Sequence, residues 1–155
     1  MLQIRRYRAE DHDEVWNLHN AALWKVGAHA GNGSWDDDLH RIEEVYLDNG
    51  GEFLVGLLDG RVIAMGAIKR SSPERAEVKR MRVHPDHQRK GLGQQILSAL
   101  QARAIELGYT TLHLDTAVIQ TAAQQLYLKN GFHETGRTVL AGFDAILFEK
   151  TIAQA

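Results

Sequence analysis

The chain has no cysteine among its 155 residues, which removes disulfides, a thiolate metal site and a cysteine nucleophile in one step. It also has no apolar run near the ~20 residues that a membrane-crossing helix needs, so no membrane partner is expected. The opening Met-Leu-Gln-Ile-Arg-Arg lacks the apolar core of a signal peptide, and a cytoplasmic address follows as an expectation. Eight histidines never form a His-x-x-x-His pair around an acid, so no metal is expected. No Ser/His pair stands in a recognisable nucleophile motif. Linkers, repeats and low-complexity tracts are missing too. Residues 1-155 therefore read as a single domain, long enough for one sizeable core and short for two.

Charge is present but unevenly spread. The formal net charge is -2, yet Lys69, Arg70, Arg75, Lys79, Arg80, Arg82, Arg89 and Lys90 place eight of the eighteen basic residues in one short segment. Such a patch suits an anionic ligand. Lys69, Arg70 and Arg75 read more simply as solvated charges on a strand face. The patch has no interleaved aromatics and the whole chain is slightly acidic, which argues against a nucleic-acid partner.

Taken in order, Leu2, Ile4 and Arg6 begin an alternating strand. Asp11 then caps a helix, with Glu14 three residues on as in a capping box and Val15, Leu18 and Ala22 as its inner stripe. The glycine-rich segment 27–35 reads as a mobile loop, in which His29 is the one histidine kept as a substrate-side candidate. Asp36 or Asp37 starts a second helix with the stripe Leu39, Ile42, Val45, Tyr46, ended by Asn49-Gly50-Gly51. Phe53 to Leu58 and Val62 to Ile68 are apolar runs joined by Asp59-Gly60, a tight-hairpin signal. Thr111 to Asp115 is a further strand, Thr121 to Lys129 a short helix, and Phe132 to Leu140 with Phe143 to Lys150 a closing hairpin turning at Ala141-Gly142.

The stretch from Glu77 to Leu97 carries the chemistry. Val78, Met81 and Val83 alternate among charged neighbours up to Pro85, as in a strand. A polar turn reaches Gly91-Leu92-Gly93, after which Ile96, Leu97, Leu100, Ala104 and Leu107 fall at helical spacing up to Gly108. Glycines at a strand-to-helix turn admit close approach of the backbone, and the helix mouth offers free N–H groups to a phosphate. A nucleotide P-loop would need Gly-Lys-Ser/Thr where this turn has Gly-Leu-Gly-Gln. A dinucleotide site, and with it a dehydrogenase, would need a third glycine where Ile96 stands, although Asp115 lies at a tolerable distance for a ribose-binding acid.

The run Gln88-Arg89-Lys90-Gly91-Leu92-Gly93 resembles the Gln/Arg-x-x-Gly-x-Gly/Ala signature of the GNAT superfamily of acetyl-coenzyme A dependent N-acetyltransferases. The preceding Ala-Glu-Val-Lys-Arg-Met-Arg-Val resembles that family's fourth strand, and Leu126-Tyr127-Leu128-Lys129-Asn130-Gly131-Phe132 its Leu-Tyr-x-x-x-Gly-Phe motif. The three motifs span the C-terminal two-thirds of the chain in the family's order. The resemblance implies an α/β fold, a mixed, mostly antiparallel sheet of about seven strands flanked by helices, with strands four and five splayed to admit the pantetheine arm.

It further implies acetyl-coenzyme A as co-substrate, held by Met81, Arg82, Val83, Gln88, Arg89, Lys90, Gly91, Leu92, Gly93, Gln94 and Gln120. The last stands where the family often has asparagine. Glu77, eleven residues before Gln88, matches a general base of some members, and the plain alternative is one more charge on a half-exposed strand. Tyr127 matches the tyrosine beside the coenzyme sulfur, a general acid or hydrogen-bond donor; the plain alternative is a core tyrosine between Leu126 and Phe132. Trp24, Trp35 and Asp36 to Asp38 fall in the family's acceptor wall, where acid plus aromatic suits a cationic amine, although the aspartates equally serve helix caps. The acceptor expected is a small-molecule amine or a peptide N-terminus or lysine, with a homodimer as the assembly to test. The competing reading is a non-catalytic acyl-coenzyme A binding or regulatory domain on the same fold.

Overall fold

The computed structural model describes residues 2–29 and 31–153; Ala30 of the expected loop and the terminal Met1, Gln154 and Ala155 lie outside them. Seven strands form one sheet: β1 (Gln3–Arg6), β2 (Glu52–Leu58), β3 (Arg61–Arg70), β4 (Arg75–Val83), β5 (Thr111–Ala117), β6 (His133–Leu140) and β7 (Phe143–Thr151). Three helices flank it: α1 (His12–Lys25), α2 (Leu92–Glu106) and α3 (Thr121–Lys129). The sheet order is β1-β2-β3-β4-β5-β7-β6. Among the described residues only β4 and β5 run parallel, as the strand-helix-strand order around α2 requires. Asp59-Gly60 and Ala141-Gly142 take the left-handed backbone of tight hairpins, at φ 51° and 77° and at φ 49° and 81°.

Two cores sit on the two faces of the sheet. Ile96, Leu97, Leu100 and Ala104 of α2 pack on Ile68, Ala76, Val78, Leu112 and Leu114, so the 3.6-residue stripe read from the sequence is the buried face. Val15 and Leu18 of α1, with Leu39 and Tyr46, cover Phe53, Val55, Met65 and Ala67 on the other side.

Two expectations need correction. Asp11 precedes α1, but its carboxylate does not cap the helix. Arg5 binds it through both terminal nitrogens at 2.7 and 2.9 Å, and it accepts the Arg8 N–H at 2.8 Å. A charged bidentate donor within reach outcompetes helix N–H groups. Glu14 likewise leaves the cap and accepts from the Val62 N–H at 3.2 Å. The second helix is not continuous either. Ser34–His40 is a 3₁₀ segment whose N-cap is Gly33, not Asp36 or Asp37, and Arg41 at φ -142° breaks it from a tight π turn at Glu43–Leu47. Leu39, Ile42 and Tyr46 still reach the core, because the break restores the phase that one straight helix would supply.

The sheet opens at β4. The β4–β5 ladder holds only Arg75 to Thr111, Ala76 to Leu112 and Glu77 to His113, and ends there. Beyond it, Arg80 and Met81 oppose the single Gly66 of β3, a β-bulge with Arg80 in the left-handed region at φ 58°. A Cβ at Gly66 would fall 2.5 Å from Met81 Sδ and 2.7 Å from Ile96 Cγ2, so the bulge needs glycine opposite it. Strands four and five therefore splay, as the family resemblance implies.

Candidate active site

The splay separates two cavities that share a floor. A cleft of about 450 Å³ runs past the strand-to-helix turn and is lined by Met81, Arg82, Val83, Gln88, Arg89, Gly91, Leu92, Gly93, Gln94 and Gln120, with α3 as its far wall. All the expected coenzyme residues except Lys90 line it. A second cavity of about 460 Å³ lies on the α1 side, bounded by His19, Leu23, His29, Trp35, Asp36, the Glu77 to Arg82 stretch, Asp115, Leu140 and Phe143. Met81, Arg82, Gln120, Ala123 and Tyr127 line both, and so mark where the two meet.

The turn into α2 is built for an anion. Arg89 and Gly91 take φ 63° and 76°, and the first-turn N–H groups of α2 have no intrahelical acceptors. A Cβ at Gly91 would meet no atom within 4 Å, so the space over this backbone is open to a ligand and fits a pyrophosphate. Gln94 and Asn130 exchange hydrogen bonds at 2.8 and 2.7 Å, tying the mouth of α2 to the end of α3 and hence to Tyr127. Gln120 turns its Oε1 back to the Thr116 hydroxyl and the Ala117 N–H. Its side-chain NH2 makes no hydrogen bond among the described residues.

Tyr127 is buried, edge-on to Phe132 with ring centroids 5.6 Å apart. It packs in the core and also lines both cavities. Its hydroxyl makes no hydrogen bond among the described residues. Burial pushes the phenol well above its ordinary range, with Arg82 opposing that shift. It stays protonated, a donor waiting for an acceptor. Glu77 is half-buried, lines the α1-side cavity, and stands at the last rung of the β4–β5 ladder.

The wall expected to be acidic is instead internally compensated. His19 Nε2 lies 3.0 Å from Asp36 Oδ1, and Arg82 Nε donates to His19 Nδ1 at 3.4 Å. Burial, reinforced by Arg82 and Arg80, brings His19 down to about 3, so the ring is neutral and carries its proton on Nε2, donating to Asp36. Arg80 binds Asp38 through Nε at 2.9 Å and Nη2 at 2.5 Å and also donates to the Trp35 carbonyl, while the Tyr46 hydroxyl donates to Asp38. Asp36 and Asp38 are thus engaged by protein groups, Asp37 is exposed, and Trp24 is exposed and stacked on His29 with centroids 4.5 Å apart. Of the expected acceptor wall, Trp35 and Asp36 line the cavity. His29 lines it too, but Asn20 Oδ1 and the Gly31 N–H occupy both its ring nitrogens. With both nitrogens engaged, that ring has no lone pair left for base chemistry.

Sequence reasoning missed His19, Arg80 as a wall residue, Asp115 as an acid facing the acceptor cavity, and Phe143. None of them stands in a motif, and only the fold brings β5, the β6–β7 turn and α1 to one place.

Residues 6–132 match the model of the acetyltransferase (GNAT) family, and the chain belongs to that family. It is similar to N-acetyltransferase 8F1 of Rattus norvegicus, at 28% identity over 120 residues that cover 74% of this chain and 54% of the relative. The chain spans about half the length of the curated relatives it matches. In fold it is similar to an acetyltransferase of the GNAT family from Staphylococcus aureus Mu50, with TM-score 0.91 at 19% identity over 99% of this chain and 100% of that one. A Salmonella typhimurium protein solved with its cofactor acetyl-CoA gives TM-score 0.84 at 23% identity, covering 100% of this chain and 96% of that one.

Proposed function

We propose that the chain is an N-acetyltransferase that moves an acetyl group from acetyl-coenzyme A to an amine by direct attack in a ternary complex. The observation that carries this reading is the meeting of an anion-binding cleft and a separate cavity at Tyr127, Met81 and Arg82. The turn from Gln88 to Gln94 holds the pyrophosphate on main-chain N–H groups, and Met81 to Val83 with Gln120 flank the arm that reaches the splay. Bound acetyl-coenzyme A supplies the thioester.

An amine attacks only as the free base, so a group on the acceptor side must take its proton. Glu77 faces that side and fills the role, with water as relay. Tyr127 holds the other end. A phenol raised by burial is too weak an acid to protonate a thiolate of ordinary pKa near ~8.5. Its contribution is therefore the hydrogen bond it gives to charge developing on sulfur. No cysteine is present to take the acetyl group, which favours direct transfer over a covalent relay.

Initial rates measured over both substrates, with mass spectrometry of protein incubated with acetyl-coenzyme A alone, test the reading. Intersecting double-reciprocal lines and an unmodified protein are expected; parallel lines with an acetylated residue contradict direct transfer. Coenzyme binding with no turnover on amines, peptides or lysine would leave the non-catalytic binding domain.

A further inference from the structure

Arg82 differs from the other arginines of the chain. Arg5, Arg6, Arg8, Arg41, Arg75, Arg80, Arg103 and Arg137 each have a carboxylate within 4.0 Å. Among the described residues Arg61, Arg70 and Arg89 have none and are solvent-exposed, whereas Arg82 has none and is not exposed. Its Nε donates to His19 and its Nη1 to the Met81 carbonyl at 2.8 Å, and Nη2 makes no hydrogen bond among the described residues. Burial and the neighbouring Arg80 lower its pKa to about 10, which still leaves it charged at neutral pH. A sheltered cation without a counter-ion is costly unless a ligand supplies one.

The setting decides which ligand. Arg82 lines both cavities at their junction, where the acceptor amine must arrive. The same acceptor cavity carries Glu77 and Asp115, neither of which has an ion pair among the described residues. Its lining also includes the apolar side chains of Leu23, Trp35, Leu140 and Phe143. A coenzyme pyrophosphate has the Gln88–Gln94 turn for its charge, so Arg82 is left for the other substrate.

Resting on the proposed acetyltransferase activity, we infer that the acceptor is a free α-amino acid with an apolar side chain, whose carboxylate is bound by the Arg82 guanidinium. The ammonium then faces Glu77 and Asp115, and the side chain packs on Leu23, Trp35, Leu140 and Phe143. A zwitterion matches a cavity that presents charges of both signs without ion pairs among the described residues. A peptide N-terminus, whose α-carbonyl is an uncharged amide, would leave Arg82 without an anion.

The test compares phenylalanine, phenylalaninamide and phenethylamine as acceptors with wild-type protein and Arg82→Gln, with Arg82→Lys as the conservative control. Losing one partner of a sheltered charge pair costs about 30-fold or more. Wild type should therefore favour the acid over the amide and the amine by about that factor in kcat/KM. The acid-to-amide ratio should approach one in Arg82→Gln and recover in part in Arg82→Lys. The wild-type comparison needs no variant to fold. Equal kcat/KM for acid and amide, or preference for the amide or for peptides, overturns the inference while leaving the acetyltransferase standing. A large kcat loss in Arg82→Gln with the ratio unchanged also overturns it, placing the guanidinium on the reacting thioester. Failure of acetyl-coenzyme A to bind in calorimetry would instead bring down the parent reading.

Discussion

The two cavities are made of different material. The coenzyme cleft is a main-chain device: one contiguous turn, a left-handed glycine and a helix mouth do the binding. The acceptor cavity is a side-chain device, assembled from α1, the Ser34–His40 segment, β4, β5 and the β6–β7 turn, and held by a chain of buried His19, Asp36 and Tyr46 with half-buried Arg80 and Asp38. Backbone N–H groups bind a phosphate whatever the neighbouring side chains are. A cavity walled by side chains changes its ligand with each substitution. The comparison therefore predicts that damage to one cavity is separable from damage to the other, with Tyr127 as the point where they meet.

The largest expected effect is Arg80→Ala. It takes the cation from Asp38, leaving that carboxylate only the Tyr46 hydroxyl among the described residues, and breaking a buried pair costs about 3–5 kcal/mol. Urea unfolding should show that loss while coenzyme affinity of the folded protein stays close to wild type. A matching collapse of coenzyme affinity would break the separation. Next comes Tyr127→Phe, which keeps the ring packing and removes a hydroxyl with no hydrogen bond among the described residues. Turnover should fall roughly 10²-fold, with melting temperature and coenzyme affinity kept; unchanged turnover returns Tyr127 to a packing role.

His19 gives a smaller, pH-dependent effect. Its folded pKa of about 3 lies below the ordinary ~6.5 of an unfolded histidine. The unfolded chain therefore binds the proton first as pH falls. Stability is complete above ~6.5 and declines toward ~3, by about 2 kcal/mol at pH ~5. Denaturation between pH 7.5 and 4.5 should give His19→Gln a shallower slope than wild type by one proton; parallel slopes would mean that His19 is charged in the folded state. Smallest is Gly91→Asn, since asparagine tolerates the left-handed backbone and its Cβ meets nothing within 4 Å. Stability should hold, and coenzyme affinity by calorimetry should drop about tenfold as the side chain enters the pyrophosphate space. Unchanged affinity would remove the pyrophosphate from this turn.

What the sequence made legible follows the same division. Gly91, the α2 stripe from Ile96 to Ala104, and both glycine hairpins depend on local backbone geometry and short-range periodicity, so they can be read in one pass along the chain. Asp11 misled because its partner Arg5 lies on another element, and a cap cannot be told from an ion pair without knowing what folds alongside. The run of three aspartates misled for the same reason. As a string it reads as an acidic amine site, but Arg80 and His19 engage its inner members, and Arg82 is left as a sheltered cation with no carboxylate within 4.0 Å among the described residues. The splay was legible only through resemblance; its local cause is Gly66 opposite the Arg80–Met81 bulge, a pairing that no single stretch of sequence displays.

The most direct test of the account is a crystal structure of the protein with coenzyme A. The pyrophosphate should lie on the N–H groups of the Gln88–Gln94 turn, and the sulfur should reach the junction within hydrogen-bond distance of the Tyr127 hydroxyl, leaving the cavity beside Trp35 and Arg82 open. A coenzyme that fills the Trp35 cavity, or whose sulfur stops short of Tyr127, would contradict it.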